Sequence, residues 1–538
     1  MSSASVDPDL AMNRQFDVIV IGSGFGGAIT ARRLAEKGMS VLVLERGRRW
    51  EPQEYPRKPT DSWVYSHREP ERHNGWLDMR FFKHMTVAQA AGVGGGSLTY
   101  SSVALEANPE VFTRGWPAEI THAELKPYYD TVAREMNLQV VPDGQLTHRF
   151  TMAREAAHNL GYDDRFSKVP LAVSFSEDWH DNLDDAFNRK HSKTFINAHG
   201  QQQGTCVHLG NCDVGCDVRA KNTLDVNYIP RAEQHGADVR PLHMVRSIEP
   251  TEQSYRVVFD RIADGRLIRG EETARRVIVA AGSLGTSELL LRCRDEYRTL
   301  PALSPLLGMH WSANANFLSM GRYGADKGRV KQSTGVSISS MLDFTDGSFK
   351  NQRFVVEDDG FPNVILNALQ AYLGDNTGLS AAGPVLEALE RHLREDYLLS
   401  DLMVWLGAGM DAADGRLGLK RHGLLSGSLD LELEWDHERS KEVFDAIGEM
   451  QKNLTEATGG RWFVPPTWSL FKNLLTLHPL GGCRMGVSAD DGVVDHLGQV
   501  FGYPNLIVAD GAIVPTSTGR NPSHTIAALA ERIAAHIS

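Results

Sequence analysis

At 538 residues the chain exceeds the usual size of one domain, and two lobes are expected. Its composition, 41% hydrophobic and 23% charged, is that of a globular protein with a substantial core. A net charge of −12 and the lack of a basic stripe interleaved with aromatics exclude a nucleic-acid binder, because affinity for phosphates rests on clustered Lys and Arg.

The opening stretch MSSASVDPDLAMNRQ contains no apolar run, so no secretory signal is expected. No segment approaches the about 18 consecutive apolar residues of a membrane span. Peripheral membrane contact through exposed loops stays open. The five cysteines are odd in number and sparse, unlike a secreted disulfide framework. Reduced thiols and a cytoplasmic location are expected.

Residues 16–47 read FDVIVIGSGFGGAITARRLAEKGMSVLVLERG. The β-branched run predicts a buried parallel strand, then a Gly-rich turn, a helix stopped by Gly38, and a second strand. In a dinucleotide site Gly22 makes the tight turn, Gly24 lets backbone approach a pyrophosphate, and Gly27 lets helix and strand pack closely. Phe25 and Gly26 open the helix, whose free N–H groups and dipole favour an anion. Glu45, followed by Arg46, ends the second strand where a carboxylate accepts hydrogen bonds from ribose hydroxyls. That acid disfavours a 2′-phosphate and leaves FAD or NAD.

A second glycine run, AGVGGGSLTYSS, brings Gly92, Gly94, Gly95 and Gly96 ahead of Ser97 and Tyr100. So many small positions let backbone come close to something large and flat. Further along, CVHLGNCDVGC sets Cys206, Cys212 and Cys216 at C-x5-C-x3-C. Such thiols can form an ordinary structural loop, or ligate zinc or an iron–sulfur centre. The segment RRVIVAAGSLGTSELLLRC repeats the strand–turn–helix pattern with Ala281, Gly282 and Gly285. From about 305 to 465 these motifs stop, and GVSISSML, RFVVEDD and LDLELEWD predict an antiparallel sheet. PVLEALERHLREDYLLSDLMVWLGAG predicts a helix running into an apolar strand; Leu402, Met403, Trp405 and Leu406 either line a pocket or form a plain core strand. Near the C-terminus, TLHPLGGCRMG places His478 before Pro479, a Gly-Gly pair and Cys483, the last read as a buried small hydrophobe. The final segment is a strand ending in Asp510-Gly511, the loop GRNPSH with Asn521, Pro522 and His524, and an amphipathic helix.

The glycine fingerprint, GVGGGSL, VIVAAGSLGTSELL, HPLGGCRMG and VADGAIVPTSTGRNPSHTIAALAERIA occur in that order. Together they resemble the glucose–methanol–choline (GMC) family of FAD-dependent alcohol oxidoreductases, and within it the cholesterol-oxidase-like and long-chain-alcohol-oxidase-like branch. The resemblance covers the first ~110 residues, the middle ~200–300 and the last ~65, and is thin between. It implies an α/β fold: a Rossmann-like FAD-binding domain assembled from discontinuous segments (14–110, 205–304 and 469–538), a connecting segment (111–204), and an α+β substrate lobe (305–468). It implies that His478 faces the flavin with Asn521 as partner, that Ser97 and Tyr100 line the flavin, that Val245 meets the adenine, and that Asp510 and Gly511 serve the ribityl or pyrophosphate. An imidazole can accept the hydroxyl proton at neutral pH, and an Asn amide can orient the substrate oxygen without titrating. The Gly-Gly pair is expected to bring backbone close to the flavin. Relatives with an Asn rather than a second His oxidise steroids, so a bulky apolar alcohol is the expected substrate, with oxygen or another acceptor taking the electrons. In those oxidases a Glu of the substrate lobe aids proton removal; Asp401 is the nearest candidate by context. Iron–sulfur dehydrogenases of the wider family resemble the cysteine spacing, so a cluster passing electrons to an external acceptor is the alternative, as is a polar or sugar-like alcohol. A flavin-carrying binding protein without turnover is a third reading, against which intact His478 and Asn521 argue.

Overall fold

The computed structural model describes residues 15–58, 60–323, 330–360, 362, 402–421 and 429–538. Two large sheets organise them. The first has seven strands, in the order Asp238–Arg240, Val41–Leu44, Gln15–Ile21, Arg266–Val279, Tyr255–Ala263 and His243–Pro250, with Leu506–Val508 added beside the end of Arg266–Val279. Five strands run parallel: Val18–Ile21 pairs with Val41–Leu44 on one side and with Arg276–Val279 on the other, and Asp238–Arg240 and Leu506–Val508 extend the parallel set at its two ends. These strands read as continuous apolar runs because both faces are covered: Val41–Leu44 is buried throughout. The helices Phe25–Glu36 and Ser523–His536 pack on each other, so the first and last segments of the chain share one layer.

The long strand Arg266–Val279 changes partners along its length. Its first half pairs antiparallel with Tyr255–Ala263, while Val277–Val279 pairs parallel with Leu506–Val508. The C-terminal segment thereby enters the sheet at the strand ends where Gly282 and Asp510 follow.

The second sheet is antiparallel, in the order Arg461–Phe463, Phe317–Arg322, Leu402–Gly409, Phe354–Asp359, Ile338–Asp343 and Phe166–Lys168. Helix Lys441–Ala457 covers one face, burying Val443, Phe444, Ile447, Met450 and Leu454. This sheet carries the alternating segments GVSISSML and RFVVEDD as expected. LDLELEWD instead forms a separate two-stranded ribbon, Leu429–Glu434 with Arg416–Arg421. Asp401 and the helix expected before it lie outside the described residues. In the strand after it, Met403 and Trp405 are core residues, and Trp405 Nε1 donates to Thr455 Oγ1 of the covering helix at 2.9 Å.

Candidate active site

A cavity of about 340 Å³ lies where the two sheets meet. Three helix N-termini open onto it, from Phe25–Glu36, Gly282–Leu291 and Ser523–His536. Its walls include Gly22, Gly24, Phe25, Gly26, Glu45, Arg46, Gly95, Gly96, Tyr100, Val245, Ala281, Gly282, Asp510, Gly511 and Pro522, with His478 and Asn521 among them. Segments separated by up to five hundred residues therefore converge on one space.

The remaining sequence-derived residues build the cradle rather than face the cavity. A Cβ at Gly27 would stand 2.0 Å from the Gly22 carbonyl oxygen, so the helix reaches the strand only with glycine there. Gly92 and Gly94 hold positive φ of 158° and 107°. Ser97 departs from its expected place: its hydroxyl donates to Gly94 O at 2.7 Å and accepts from Leu224 N at 3.0 Å, tying the glycine run together. The Gly481-Gly482 pair also packs against protein. A Cβ at Gly481 would meet His310 O at 2.1 Å, and one at Gly482 would meet Ser287 Oγ at 2.1 Å. Cys483 is buried beside them.

Whether these walls suit FAD can be tested on the glycines that do face the space. A Cβ on Gly96 would meet nothing within 4 Å, on Gly24 only Gly95 Cα at 3.8 Å, and on Gly282 only Gln89 Oε1 at 3.9 Å. Those three leave bare backbone beside open volume, the arrangement a pyrophosphate and a flat ring require. Glu45 is held by Ser23 N at 3.0 Å, Ser23 Oγ at 2.7 Å and Gly47 N at 2.9 Å, and burial raises its pKa. Asp510 accepts from Gly282 N at 2.7 Å, Thr286 Oγ1 at 2.5 Å and Ala512 N at 2.9 Å, so it fixes two turns of the cavity wall. Arg46 donates to Asp78 at 2.7 Å. Tyr100 turns its hydroxyl away to Asn222 O at 3.0 Å and offers its ring. The residues fit FAD.

At the far end stand His478 and Asn521. His478 follows the strand Leu474–Thr476 and is half-buried, its open part facing the cavity. Burial lowers its pKa to about 4, so the ring is neutral at pH 7. Asn521 is buried; its Nδ2 donates to Glu357 Oε2 at 3.2 Å, while its Oδ1 and Glu357 Oε1 have no hydrogen-bond partner among the described residues. Glu357 is fully buried in the central strand Phe354–Asp359, opposite Leu406, which lines the cavity. Removal from water is the chief cause that pushes its carboxyl up to about 8. His524 instead bridges Ala104 O and Tyr129 O at 3.1 and 2.9 Å, outside the cavity lining.

The segment 431–530 matches the family model for GMC oxidoreductase, and residues 17–53 match that for FAD dependent oxidoreductase. A cholesterol oxidase of Mycobacterium tuberculosis is 30% identical over 97% of this chain and 91% of its own length. The chain belongs to the GMC oxidoreductase family. A cholesterol oxidase of Acinetobacter baumannii is 29% identical over 98% of this chain and 95% of that protein. The structure of pyridoxine 4-oxidase from Mesorbium loti superposes with a TM-score of 0.59 at 16% identity, covering 97% of this chain and 99% of that one, a likeness of fold. As a GMC protein, the chain is an FAD-dependent oxidoreductase acting on CH–OH donors, with an alcohol as substrate and an electron acceptor as its partner.

The cysteine cluster has no part in this cavity. Cys206 and Cys212 are buried in an apolar cluster with Val103, Leu105, Val141 and Leu171, and Cys216 packs against it. Burial pushes the Cys206 thiol up and that of Cys212 to about 11, away from the thiolate a metal needs. Among the described residues the three sulfurs do not converge on a single-ion point. The iron–sulfur expectation thus gains no support.

Glu357 escaped the sequence reading. Its signal was an acid within FVVEDD, a run otherwise suited to a buried strand.

Proposed function

We propose that this GMC enzyme oxidises a bulky apolar alcohol, of steroid type, to the carbonyl, with His478 and Asn521 holding the hydroxyl and Glu357 taking its proton. The observation that carries this reading is the orphaned Oδ1 of Asn521. It is a buried acceptor on the cavity wall, oriented by the bond its Nδ2 gives to Glu357. A hydroxyl donating to it satisfies an atom that is otherwise costly to bury. FAD, when bound, supplies the acceptor for the hydride that leaves the carbinol carbon. The bond to Asn521 Oδ1 holds the hydroxyl before reaction; as the hydride leaves, the same hydrogen turns from that oxygen to the carboxylate form of Glu357 and is taken up on Oε1, the oxygen not engaged by Asn521. With a pKa of about 8, that form grows with pH across the neutral range.

The steroid class rests on the two cholesterol oxidases matched over nearly the full chain, and on Ile338, Val103 and Leu406 at the cavity wall. Oxygen is the acceptor we favour, as in proteins named oxidases. We read 14–110, 205–304 and 469–538 as the cofactor body, 305–468 as the substrate lobe and 111–204 as their connection; the two sheets support that division. Five cysteines present as free thiols support a cytoplasmic location. Among the described residues no helix is long and apolar enough to cross a membrane. Steady-state oxidation of cholesterol against sugars and short alcohols tests the substrate class: the steroid should give the highest kcat/KM, and preference for a sugar would overturn it.

A further inference from the structure

A buried cation stands behind the wall of the cofactor cavity. Lys221 is 2% exposed, and its Nζ donates to Cys212 O at 2.7 Å, Tyr100 O at 2.8 Å and Leu98 O at 3.1 Å. Carbonyls can only accept, so the nitrogen must supply three hydrogens, and only the ammonium form has three. Its nearest acids among the described residues, Asp213 and Asp225, act on it at longer range and form no bond to it. Asp213 spends its two oxygens on hydroxyls, Ser101 Oγ at 3.1 Å and Ser337 Oγ at 3.0 Å, and burial raises the pKa of both acids. A buried charge with no counter-ion in contact is costly, and the fold keeps one here.

Its position supplies the reason. Nζ lies 4.9 Å from the centroid of the Tyr100 ring. That ring lines the cavity; its hydroxyl is tied to Asn222 O at 3.0 Å, and the Phe25 ring meets it edge-on at 5.6 Å. The chain continues through Ser101 and Val103, both on the cavity wall. Val103 O accepts from Ser523 Oγ at 3.0 Å, two residues beyond Asn521. Lys221 therefore backs the end of the cavity where Asn521 stands.

We infer that Lys221 is a fixed positive charge for the cofactor, acting through the Tyr100 ring to favour the reduced state of the bound flavin. The inference rests on the reading that the reacting ring lies beside His478 and Asn521. A hydride carries two electrons and one proton, so each oxidation of the alcohol brings one net negative charge into the cavity, while the hydroxyl proton goes to Glu357. His478 is neutral at pH 7 and Asn521 does not ionise, so neither balances that charge. The Lys221 ammonium does so from behind the wall, with an aromatic ring in front of it. It also clasps the Leu98 and Tyr100 carbonyls, so charge and wall are set together. Lys221 is a positioning residue, acting through Tyr100.

The test is the reduction potential of the flavin in the holoenzyme, measured by equilibration with a reference dye. A unit charge acting across about 10 Å at an effective dielectric of about 20 changes an equilibrium constant roughly tenfold. Lys221→Met, which keeps the stem and removes the charge, should therefore lower the potential by about 30 mV for the two-electron couple. Lys221→Gln, neutral but still a donor, should lower it as well, while Lys221→Arg should hold it near the wild-type value. A role confined to clasping would lower Tm in Lys221→Met and leave the potential of the bound flavin unmoved. That result overturns the inference, as does loss of FAD from both neutral variants. The readout needs no alcohol, so it stands apart from the substrate reading. Failure of the wild type to oxidise any steroid removes the proposed function alone; an unmoved potential removes this inference alone.

Discussion

Glu357→Gln offers the sharpest separation of chemistry from stability. In the native chain the carboxyl titrates near 8 against an ordinary 4.5. Between those values the unfolded chain gives up the proton and the native chain keeps it, so stability falls as pH rises through that window. The slope is about 1.4 kcal/mol per pH unit, and the difference of 3.5 units amounts to roughly 5 kcal/mol by pH 9. Gln keeps an acceptor for Asn521 Nδ2 and cannot ionise. The variant should therefore gain on the wild type as pH rises from 5 to 9, by roughly 4–5 °C in Tm for a chain of this length. Thermal melts of both holoenzymes at the two pH values read this directly. The same variant should lose most turnover, and with it the rise of kcat/KM with pH expected of the wild type around 8. A Tm difference that stays constant from pH 5 to 9 would refute the buried-carboxyl reasoning.

His478→Ala should retain FAD, seen by absorbance, and lose on the order of 10²–10⁴-fold in kcat. Gly96→Val would push a side chain into open cavity while touching no protein atom within 4 Å at its Cβ. It should purify colourless, with an unchanged circular-dichroism spectrum. Acid should destabilise the protein well before carboxylates protonate. Burial holds His67 and His478 at about 4 and His208 at about 3, so the native chain binds fewer protons than the unfolded one below 6.5. Stability is then lost as pH falls from 6.5 toward 4, and His208→Gln should flatten the decline in Tm over that range.

The cofactor half was legible because its demands are local. Gly22 must be glycine, since a Cβ there would lie 2.4 Å from Ala280 O at a φ of 94°. Such a requirement marks the sequence itself, and it follows a strand and precedes a helix. His478 and Asn521 were also legible, each within a short motif, and both do line one cavity. What failed to show was everything set by register between strands. Glu357 faces Asn521 only because Phe354–Asp359 occupies the centre of the second sheet, with Leu406 directly opposite. Asn316, whose Nδ2 lies 2.9 Å from His478 Nδ1, reaches that ring across 162 residues of chain. Ser97 was placed one layer wrong for a similar reason: its hydroxyl answers to Leu224, a contact no nearby residue announces.

The most direct measurement is anaerobic mixing of the yellow holoenzyme with cholesterol, followed by flavin absorbance. The account predicts bleaching by the alcohol, no bleaching by the corresponding ketone, and slow or absent bleaching in Asn521→Leu and His478→Ala. Bleaching at the wild-type rate in both variants, or none with any steroid, long-chain or aromatic alcohol, would contradict it.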